Sequence, residues 1–332
     1  MLRSFNILKN IRYFTSIPRG RYEAIIDPDP SHIDQFMEAH GKYRTDFKRD
    51  DFENWKKAFG DDYQLGFFFI KGTMDIVFSY HLIQFKSLVA GIPDFQQMGL
   101  AWMPEKHRGR EAVSEAHIHF MEHLNMKRKN MIACCAKPSQ NFWRQASGND
   151  DMSTCAYYIS YYDAKDVQPL PRDELPDIEV IIKDKTEAKL EDIIKYDQSI
   201  FPYERSAYIT HHISESITKV AYDMNDKVVG IGSAVVYPSG ECVITPLYAD
   251  NHQIAQHLFQ AILTDLSAQS VWRYQIRSNN QCDNSYEWIT PFLSVPLKRT
   301  ELSNICYSIE SPKQYFNMSK VFINSPPTNF PF

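Results

Sequence analysis

The sequence predicts an α/β (α+β) protein with two tandem domains, each a mixed central sheet flanked by helices. Three observations support this prediction. The chain has 332 residues, more than an average single domain. β-rich runs and amphipathic helical patterns follow one another in a similar order twice. Between the two series lies segment 167–177, which contains several charges and three prolines and is therefore predicted to be a linker.

The first domain is predicted over residues 21–166. It begins with the strand YEAIID, followed by a helix opened by Ser31 as N-cap and a second helix closed by Gly60. Three β-rich runs follow, namely YQLGFFFIK, TMDIVFSYHLIQF and FQQMGLAWM. The remaining predicted elements are a helix with an apolar stripe over 112–124, a buried strand at NMIACCAK, a short helix at NFWRQAS and a closing strand at TCAYYISYYD.

The second domain is predicted over residues 178–332. IEVIIKD reads as a strand and KLEDIIKYDQSIF as a helix. Three strands within 218–249 are joined by turns at Asn225-Asp226 and Ser239-Gly240. A long helix over 251–270 carries a stripe of apolar residues, and the tail SPPTNFPF is predicted to be irregular.

Composition argues against several classes of partner. The formal net charge of −5 disfavours general nucleic-acid binding, which needs a basic face. No window approaches the roughly 20 apolar residues of a membrane span. The six cysteines show no CxxC spacing, which predicts free thiols in a reducing compartment.

Residues 1–20 have the composition of a mitochondrial transit peptide. Arg3, Lys9, Arg12 and Arg19 lie among hydrophobic and hydroxyl residues, and the first acid is Glu23. This composition predicts import into the mitochondrial matrix. A cytoplasmic protein with a frayed basic terminus is the alternative.

The stretch MPEKHRGREAV has features of an anion-binding loop. It lies between a predicted strand and a predicted helix, whose N-terminal N–H groups favour an anion. Arg108 and Arg110 add charged donors suited to phosphate, and Gly109 allows close backbone approach. A solvated, charged helix start is the alternative interpretation.

With the strand before it, this stretch resembles motif A of the GNAT acyl-CoA N-acyltransferases. The resemblance implies that the strand end holds the pantetheine arm and acyl carbonyl of CoA, and that the loop amides hold its pyrophosphate. The short predicted helix SQNFWRQASG, which comes later in the first domain, is similar to motif B of the family. The cofactor-binding residues implied in this way are Leu100, Ala101, Trp102, Met103, Arg108, Gly109, Arg110, Glu111, Ala112 and Asn141.

The loop departs from the family pattern Arg/Gln-x-x-Gly-x-Gly/Ala. Aligned on Arg108, the chain has Glu111 and Val113 where the two small residues belong. A carboxylate pointing into the loop amides would exclude CoA. A catalytically inactive GNAT-fold scaffold or a CoA/metabolite sensor is therefore the competing function.

The resemblance leaves the acid and the base of the reaction open. A motif B tyrosine often protonates the leaving thiolate in this family, but here the helix has none, so Ser139, Ser147, a cysteine or water would have to serve. Ser139 and Asn141 are retained as catalytic candidates. Glu38, Asp46 and Asp75 are conceivable bases, and none of them is singled out.

Residues 196–209 and 230–263 resemble the second half of tandem GNAT proteins, including uncharacterised nematode members. In that half an Asp…Arg pair precedes the sheet, and Asp197 and Arg205 match it, which implies a part in substrate binding. No Arg-Gly loop precedes the second long helix. The resemblance thus implies a degenerate second domain and, for the whole chain, transfer of an acetyl or short acyl group from acetyl-CoA or another acyl-CoA to the amine of a small metabolite or amino acid.

A third hypothesis is a zinc peptidase. His119, Glu122 and His123 form an H-x-x-E-H pattern, in which two histidines lie one helical turn apart. Both fall on the polar side of the predicted helix, where solvated histidines are expected, so no metal is predicted.

Overall fold

Among the described residues, thirteen strands form one mixed sheet around which the fold is built. A computed structural model describes residues 21–40, 48–108, 130–136, 154–279, 286–298, 300–307, 309 and 312–323. Helices from both halves of the chain pack against this sheet and form two apolar cores with it. The α/β fold class predicted from the alternating patterns is confirmed.

The first half supplies six strands and two described helices. In chain order these are β1 (Tyr22–Ile26), α1 (Pro30–His40), α2 (Asp51–Phe59), β2 (Tyr63–Ile70), β3 (Ile76–Phe85), β4 (Phe95–Trp102), β5 (Met131–Ala136) and β6 (Thr154–Asp163). Gly60 ends α2 with a φ of 55°, as predicted from the sequence. The N-terminal donors of α1 are bound by Asp29 rather than Ser31, because its carboxylate accepts hydrogen bonds from the backbone N–H groups of Ser31 and His32.

The second half supplies seven strands and three described helices. They are β7 (Val180–Asp184), α3 (Leu190–Ile200), α4 (Ser206–Glu215), β8 (Ile217–Asp223), β9 (Val228–Val236), β10 (Glu241–Ala249), α5 (His252–Leu266), β11 (Arg273–Asn279), β12 (Thr300–Tyr307) and β13 (Val321–Ile323). The predicted turns lie where expected, with positive φ at Asp226 and Gly240. Helix α4 and strands β11 to β13 were not predicted.

The strand order is nearly symmetric about the middle of the sheet. It runs β1-β2-β3-β4-β5-β12-β6-β11-β10-β9-β8-β7, and β13 joins β10 from outside this path. The only parallel pairs among the described strands are β4 with β5 and β10 with β11. Five strands of each half therefore flank two central strands, one contributed by each half.

These central strands connect the halves more closely than the sequence predicts. Strand β12 pairs with both β5 and β6, while β6 also pairs with β11. The sheet of residues 21–166 is consequently interrupted by a strand from residues 178–332. The predicted linker contains one short 3₁₀ turn and an isolated bridge between Val167 and Leu293. It packs on α5, where the backbone of Leu170 exchanges two hydrogen bonds with the side chain of Gln260.

One apolar core extends across the junction between the halves. The ring of Phe316 contacts Phe95 from the first half and Phe201 from the second. Phe59 at the end of α2 stacks on Tyr208 of α4 with 5.8 Å between ring centroids. A second core lies between α5 and the sheet of the second half. The shared strands and shared core fix the position of β4, where the predicted site lies.

Candidate active site

Strands β4 and β5 open a gap beside the predicted loop. Their parallel register covers three residue pairs, from Gln96 with Met131 to Met98 with Ala133. Strand β4 continues to Trp102 and β5 to Ala136 without further pairing between the two. Beyond Met98, no described strand pairs with the edge of β4 that faces β5.

A β-bulge shapes β4 at the start of this gap. His81 pairs with Gly99 and Ser79 with Trp102, so that Leu100 and Ala101 lie opposite the single residue Tyr80. Leu100 has a φ of 50°, an uncommon conformation for a residue with a side chain. Its carbonyl accepts a hydrogen bond of 2.8 Å from the Ser79 hydroxyl, which fixes the bulge.

The segment after β4 is held by its own hydrogen bonds. A short 3₁₀ turn covers Glu105–His107, and its backbone closes on Pro104 through the His107 amide at 2.9 Å. Arg108 is exposed, and its Nε donates to the Met103 carbonyl at 3.1 Å. This bond uses one of its five donors, so the guanidinium retains others for an anion.

A cleft of about 570 Å³ lies next to the end of β4. This volume lies within the usual range for small-molecule sites. The wall is contributed by α1, the β2–β3 turn and the segment that follows β4. The described residues that line it are Gln35, Ala39, Met74, Asp75, Ile76, Trp102, Pro104, Glu105 and Lys106.

Aromatic packing holds the Trp102 wall of the cleft in place. The Trp102 ring meets the edge of His40 with 4.9 Å between centroids, and it contacts Phe36 at 5.9 Å. His40 and Phe36 are buried on α1. The wall next to the β4 bulge is therefore rigid.

Asp75 is the centre of a charged cluster in the cleft. One carboxylate oxygen accepts from Lys106 Nζ at 2.6 Å, and the other lies 3.1 Å from His107 Nε2. Partial burial alone would raise the pKa of Asp75, but the hydrogen bonds from Lys106 and His107 outweigh it and hold the pKa below its usual value. Asp75 therefore remains a carboxylate near neutral pH.

The predicted site residues fall into two groups. Leu100, Ala101, Trp102, Met103 and Arg108 lie together along the gap and the segment after it. Asp75, one of the conceivable bases, lies in the adjacent cleft, whereas Glu38 is exposed on α1. The predicted positions outside the described residues are Asp46, Gly109, Arg110, Glu111, Ala112, Ser139 and Asn141, as well as the H-x-x-E-H motif at 119–123.

Two groups, one in the cleft and one beside it, were not singled out from the sequence as functional. Asp75 and His107 are 32 positions apart, and only the pairing of β3 with β4 brings them together. His107 lies within the loop used for the family resemblance, but no motif spacing marks it.

Asp197 and Arg205 bind each other. Both side chains are at most 3% exposed, and Arg205 donates from Nε to Asp197 at 2.7 Å and from a terminal nitrogen to the second carboxylate oxygen. The guanidinium also lies over the Phe201 ring. The contacts observed are structural, and the implied role in substrate binding stays a prediction.

The second half repeats the geometry of the gap but fills it. The β10–β11 register ends at Val243, and a register shift places Thr245 and Pro246 at a bulge equivalent to Leu100 and Ala101. Just beyond this bulge, β13 pairs with β10 at Leu247 and Tyr248. The described residues of β13 are buried. The edge of β10 that corresponds to the end of β4 is thus occupied by another strand of the chain.

The start of α5 is also occupied by groups of the chain. Asn251 accepts a hydrogen bond from the Ile254 amide at 3.0 Å. The preceding residue, Asp250, is held by the Tyr196 hydroxyl at 2.9 Å and by Lys320 at 2.7 Å. A carboxylate therefore occupies the position where an anion-binding loop would precede the helix.

The described residues also bear on metal binding and on membrane spans. Within the part of the chain that the structure describes, no group of three or more His, Cys, Asp or Glu side chains could hold a metal ion. None of the described helices has the length and apolarity needed to cross a bilayer.

Sequence comparison finds two families. The model of a family described as a protein of unknown function (DUF1248) matches residues 19–200, which is more than half of the chain. A model of the acetyltransferase (GNAT) domain matches residues 193–283. No curated protein matches the chain.

Solved structures share the fold over nearly the whole chain. A putative acetyltransferase from Pyrococcus horikoshii has a TM-score of 0.60 and 13% identity, covering 92% of this chain and 95% of its own. A tandem GNAT protein from the clavulanic acid biosynthesis pathway has a TM-score of 0.60 and 11% identity over 87% of this chain and 99% of its own. Saccharomyces cerevisiae N-myristoyltransferase has a TM-score of 0.55 and 10% identity, covering 94% of this chain and 89% of its own. The fold is therefore that of tandem GNAT acetyltransferases.

Proposed function

The chain belongs to the DUF1248 family, and we propose that it is an acyl-CoA-dependent N-acyltransferase that uses the gap between β4 and β5. In this proposal, acetyl or another short acyl group passes from CoA to the amine of a small metabolite or amino acid. The observation that carries it is the open, bulged end of β4 next to a cleft of small-molecule size. The GNAT domain match and the GNAT fold of the structural relatives support it.

The described residues fit an acyl-CoA co-substrate. Beyond its register with β5, the end of β4 from Leu100 to Met103 would lie along a pantetheine arm, whose amides can exchange hydrogen bonds with backbone groups. Arg108 offers exposed donors to a pyrophosphate. One structural relative is described with bound myristoyl-CoA, which supports this class of ligand. We include Gly109, Arg110, Glu111, Ala112 and Asn141 in the proposed site, although they lie outside the described residues.

Acyl-CoA would supply an activated thioester at this gap. Backbone N–H groups near the Leu100 bulge are suited to stabilise negative charge on the carbonyl oxygen, because fixed donors need no reorganisation. The rigid Trp102 wall would orient the acceptor amine.

We propose further that only the first half binds CoA. In the second half, β13 occupies the edge of β10, and Asp250 would repel a pyrophosphate. The second half would then act as a degenerate copy that completes the sheet. This proposal implies one CoA site per chain.

A binding titration tests the proposed function. We expect acetyl-CoA to raise the melting temperature of the purified full chain, with a stoichiometry of one per chain by calorimetry. A ligand at 100 times its dissociation constant stabilises the native state by about 2.7 kcal/mol. The double variant Arg108→Ala/Arg110→Ala should lose this shift, because it removes the charged donors to phosphate.

Arg172→Ala is the matched control, since Arg172 is exposed in the linker segment and distant in sequence from β4. It should keep the full shift. An absence of any shift at millimolar acetyl-CoA and longer acyl-CoAs would reject the enzyme and favour the scaffold hypothesis. Two sites per chain would reject the assignment of a single CoA site.

We propose the mitochondrial matrix as the site of action, on the composition of residues 1–20. Matrix proteases remove such segments after import. We expect protein isolated from mitochondria to begin near Thr15 or Ser16, as measured by N-terminal sequencing. An intact Met1 in that fraction would contradict the proposal.

A further inference from the structure

We propose that His107 is the general base that deprotonates the acceptor amine, and that Asp75 is the residue that positions it. The inference rests on the proposed function, because it assigns a role within the same site. It begins from the hydrogen bond between Asp75 and His107 Nε2 at 3.1 Å.

The bond to Asp75 determines which ring nitrogen can act. A carboxylate only accepts, so His107 Nε2 must carry the hydrogen and Nδ1 presents a lone pair. Within the described residues, Nδ1 has no hydrogen-bond partner. His107 can therefore take up a proton without breaking its bond to Asp75.

Asp75 is itself held in one position. Lys106 Nζ binds its other oxygen at 2.6 Å, so both carboxylate oxygens are used. The carboxylate stays ionised near neutral pH because its pKa is lowered. It orients the imidazole and stabilises the imidazolium that forms, as the acid does in a Ser-His-Asp arrangement.

The position of His107 brings this pair next to the proposed acyl site. Asp75, Glu105 and Lys106 line the same cleft as Trp102, the last residue of the bulged strand. The His107 side chain is 15% exposed, so it is partly sheltered but accessible. His107 is not itself among the lining residues, but it adjoins the cleft through Asp75 and Lys106, and we place the acceptor amine in the cleft beside it.

Charged groups of both signs surround His107. Asp75 accepts a hydrogen bond from the ring, and Glu105 in the same turn carries the same negative charge. Lys106 and Arg108 are cationic, and Lys106 is paired with Asp75. Among the described groups, the one hydrogen-bonded to the ring is therefore an anion.

The reaction can be written with every proton assigned. His107 Nδ1 takes one proton from the ammonium of the acceptor, and the freed nitrogen lone pair attacks the thioester carbon. The C–N bond forms as the C–S bond breaks, and the CoA thiolate leaves with the electron pair. It takes up the second N–H proton through solvent, and His107 returns its proton to solvent.

Kinetics over a range of pH test the assignment. Release of CoA thiol would be measured with acetyl-CoA and a panel of phenethylamine, tryptamine, spermidine, glycine and Nα-acetyl-lysine. We expect His107→Gln to lower kcat by about 100-fold or more, the usual contribution of a general base. The acetyl-CoA thermal shift should be unchanged, because His107 does not bind the co-substrate in this proposal.

Asp75→Asn separates positioning from a structural role. The amide keeps the size of the side chain but removes the charge that stabilises the imidazolium. We expect kcat to fall less than in His107→Gln, and the acid limb of the kcat/KM profile to move to lower pH. A purely structural change would lower activity without moving this limb.

The chain offers a matched control at a second Asp–His pair. His32 Nδ1 lies 2.8 Å from Asp29, and its side chain is also 15% exposed, but its partner Asp29 does not line the cleft, whereas Asp75 does. His32→Gln should keep kcat and the pH profile.

The remaining outcomes overturn either the role of His107 or the proposed function. Retention of kcat within twofold in His107→Gln overturns the assignment, and so does a rise confined to KM for acetyl-CoA, which would place His107 on the co-substrate. A wild-type protein that binds acetyl-CoA but acylates no amine of the panel also overturns it. A wild-type protein that does not bind acetyl-CoA rejects the proposed function itself.

Discussion

Removal of the Asp197 carboxylate would leave the guanidinium of Arg205 buried without its counter-charge. Both side chains are at most 3% exposed, so water cannot replace the lost partner. Breaking a buried ion pair from one side costs about 3–5 kcal/mol. We therefore expect Asp197→Ala to lower the free energy of unfolding by this amount, measured by urea denaturation followed by circular dichroism.

An exposed pair provides the comparison at the same scale. Asp34 is 63% exposed and binds Arg49, which keeps Glu53 as a second partner. Asp34→Ala should change the free energy of unfolding by less than about 1 kcal/mol. If Asp197→Ala proved as mild as this while raising KM for the amine, the pair would serve the substrate, as the family resemblance implies.

At the scale of elements, the two bulged strands have the same geometry but different neighbours. Beyond Met98, no described strand pairs with β4 on the side of β5, whereas β13 pairs with the corresponding end of β10. The sequence predicts both strands from their β-rich composition, and the loop after β4 from its Arg, Gly and Pro residues. It predicts neither bulge, because each depends on the register with a partner strand, β3 or β9.

Short strands and long-range pairs account for what sequence reasoning missed. The three residues of β13 are too few to show a period, and their partner lies more than 70 positions earlier. Asp75 and His107 likewise meet only after β3 and β4 pair. Helix starts and stops are local, which is why Gly60 was placed correctly, but the choice of Asp29 over Ser31 depends on where one carboxylate lies.

At the scale of the whole molecule, the domain boundary in the sequence is not a boundary in the sheet. Strand β12 of the second half lies between β5 and β6 of the first, and β6 lies between the two strands β12 and β11 of the second. Each half alone would lack a central strand and expose unpaired backbone edges. The shared apolar core around Phe316 would be divided as well.

We therefore expect residues 21–166, expressed alone, to fail to unfold cooperatively and to show no thermal shift with acetyl-CoA. Co-expression with residues 167–332 should restore both, because the second fragment supplies β12. The control is the full chain with a protease site inserted between Asp173 and Glu174, in an exposed turn of the linker. After cleavage there, the two fragments should remain associated on gel filtration and unfold as one unit, since the shared strands hold them together. An isolated first fragment that unfolds cooperatively and binds acetyl-CoA would show that β12 is dispensable, and that the halves are joined only by proximity.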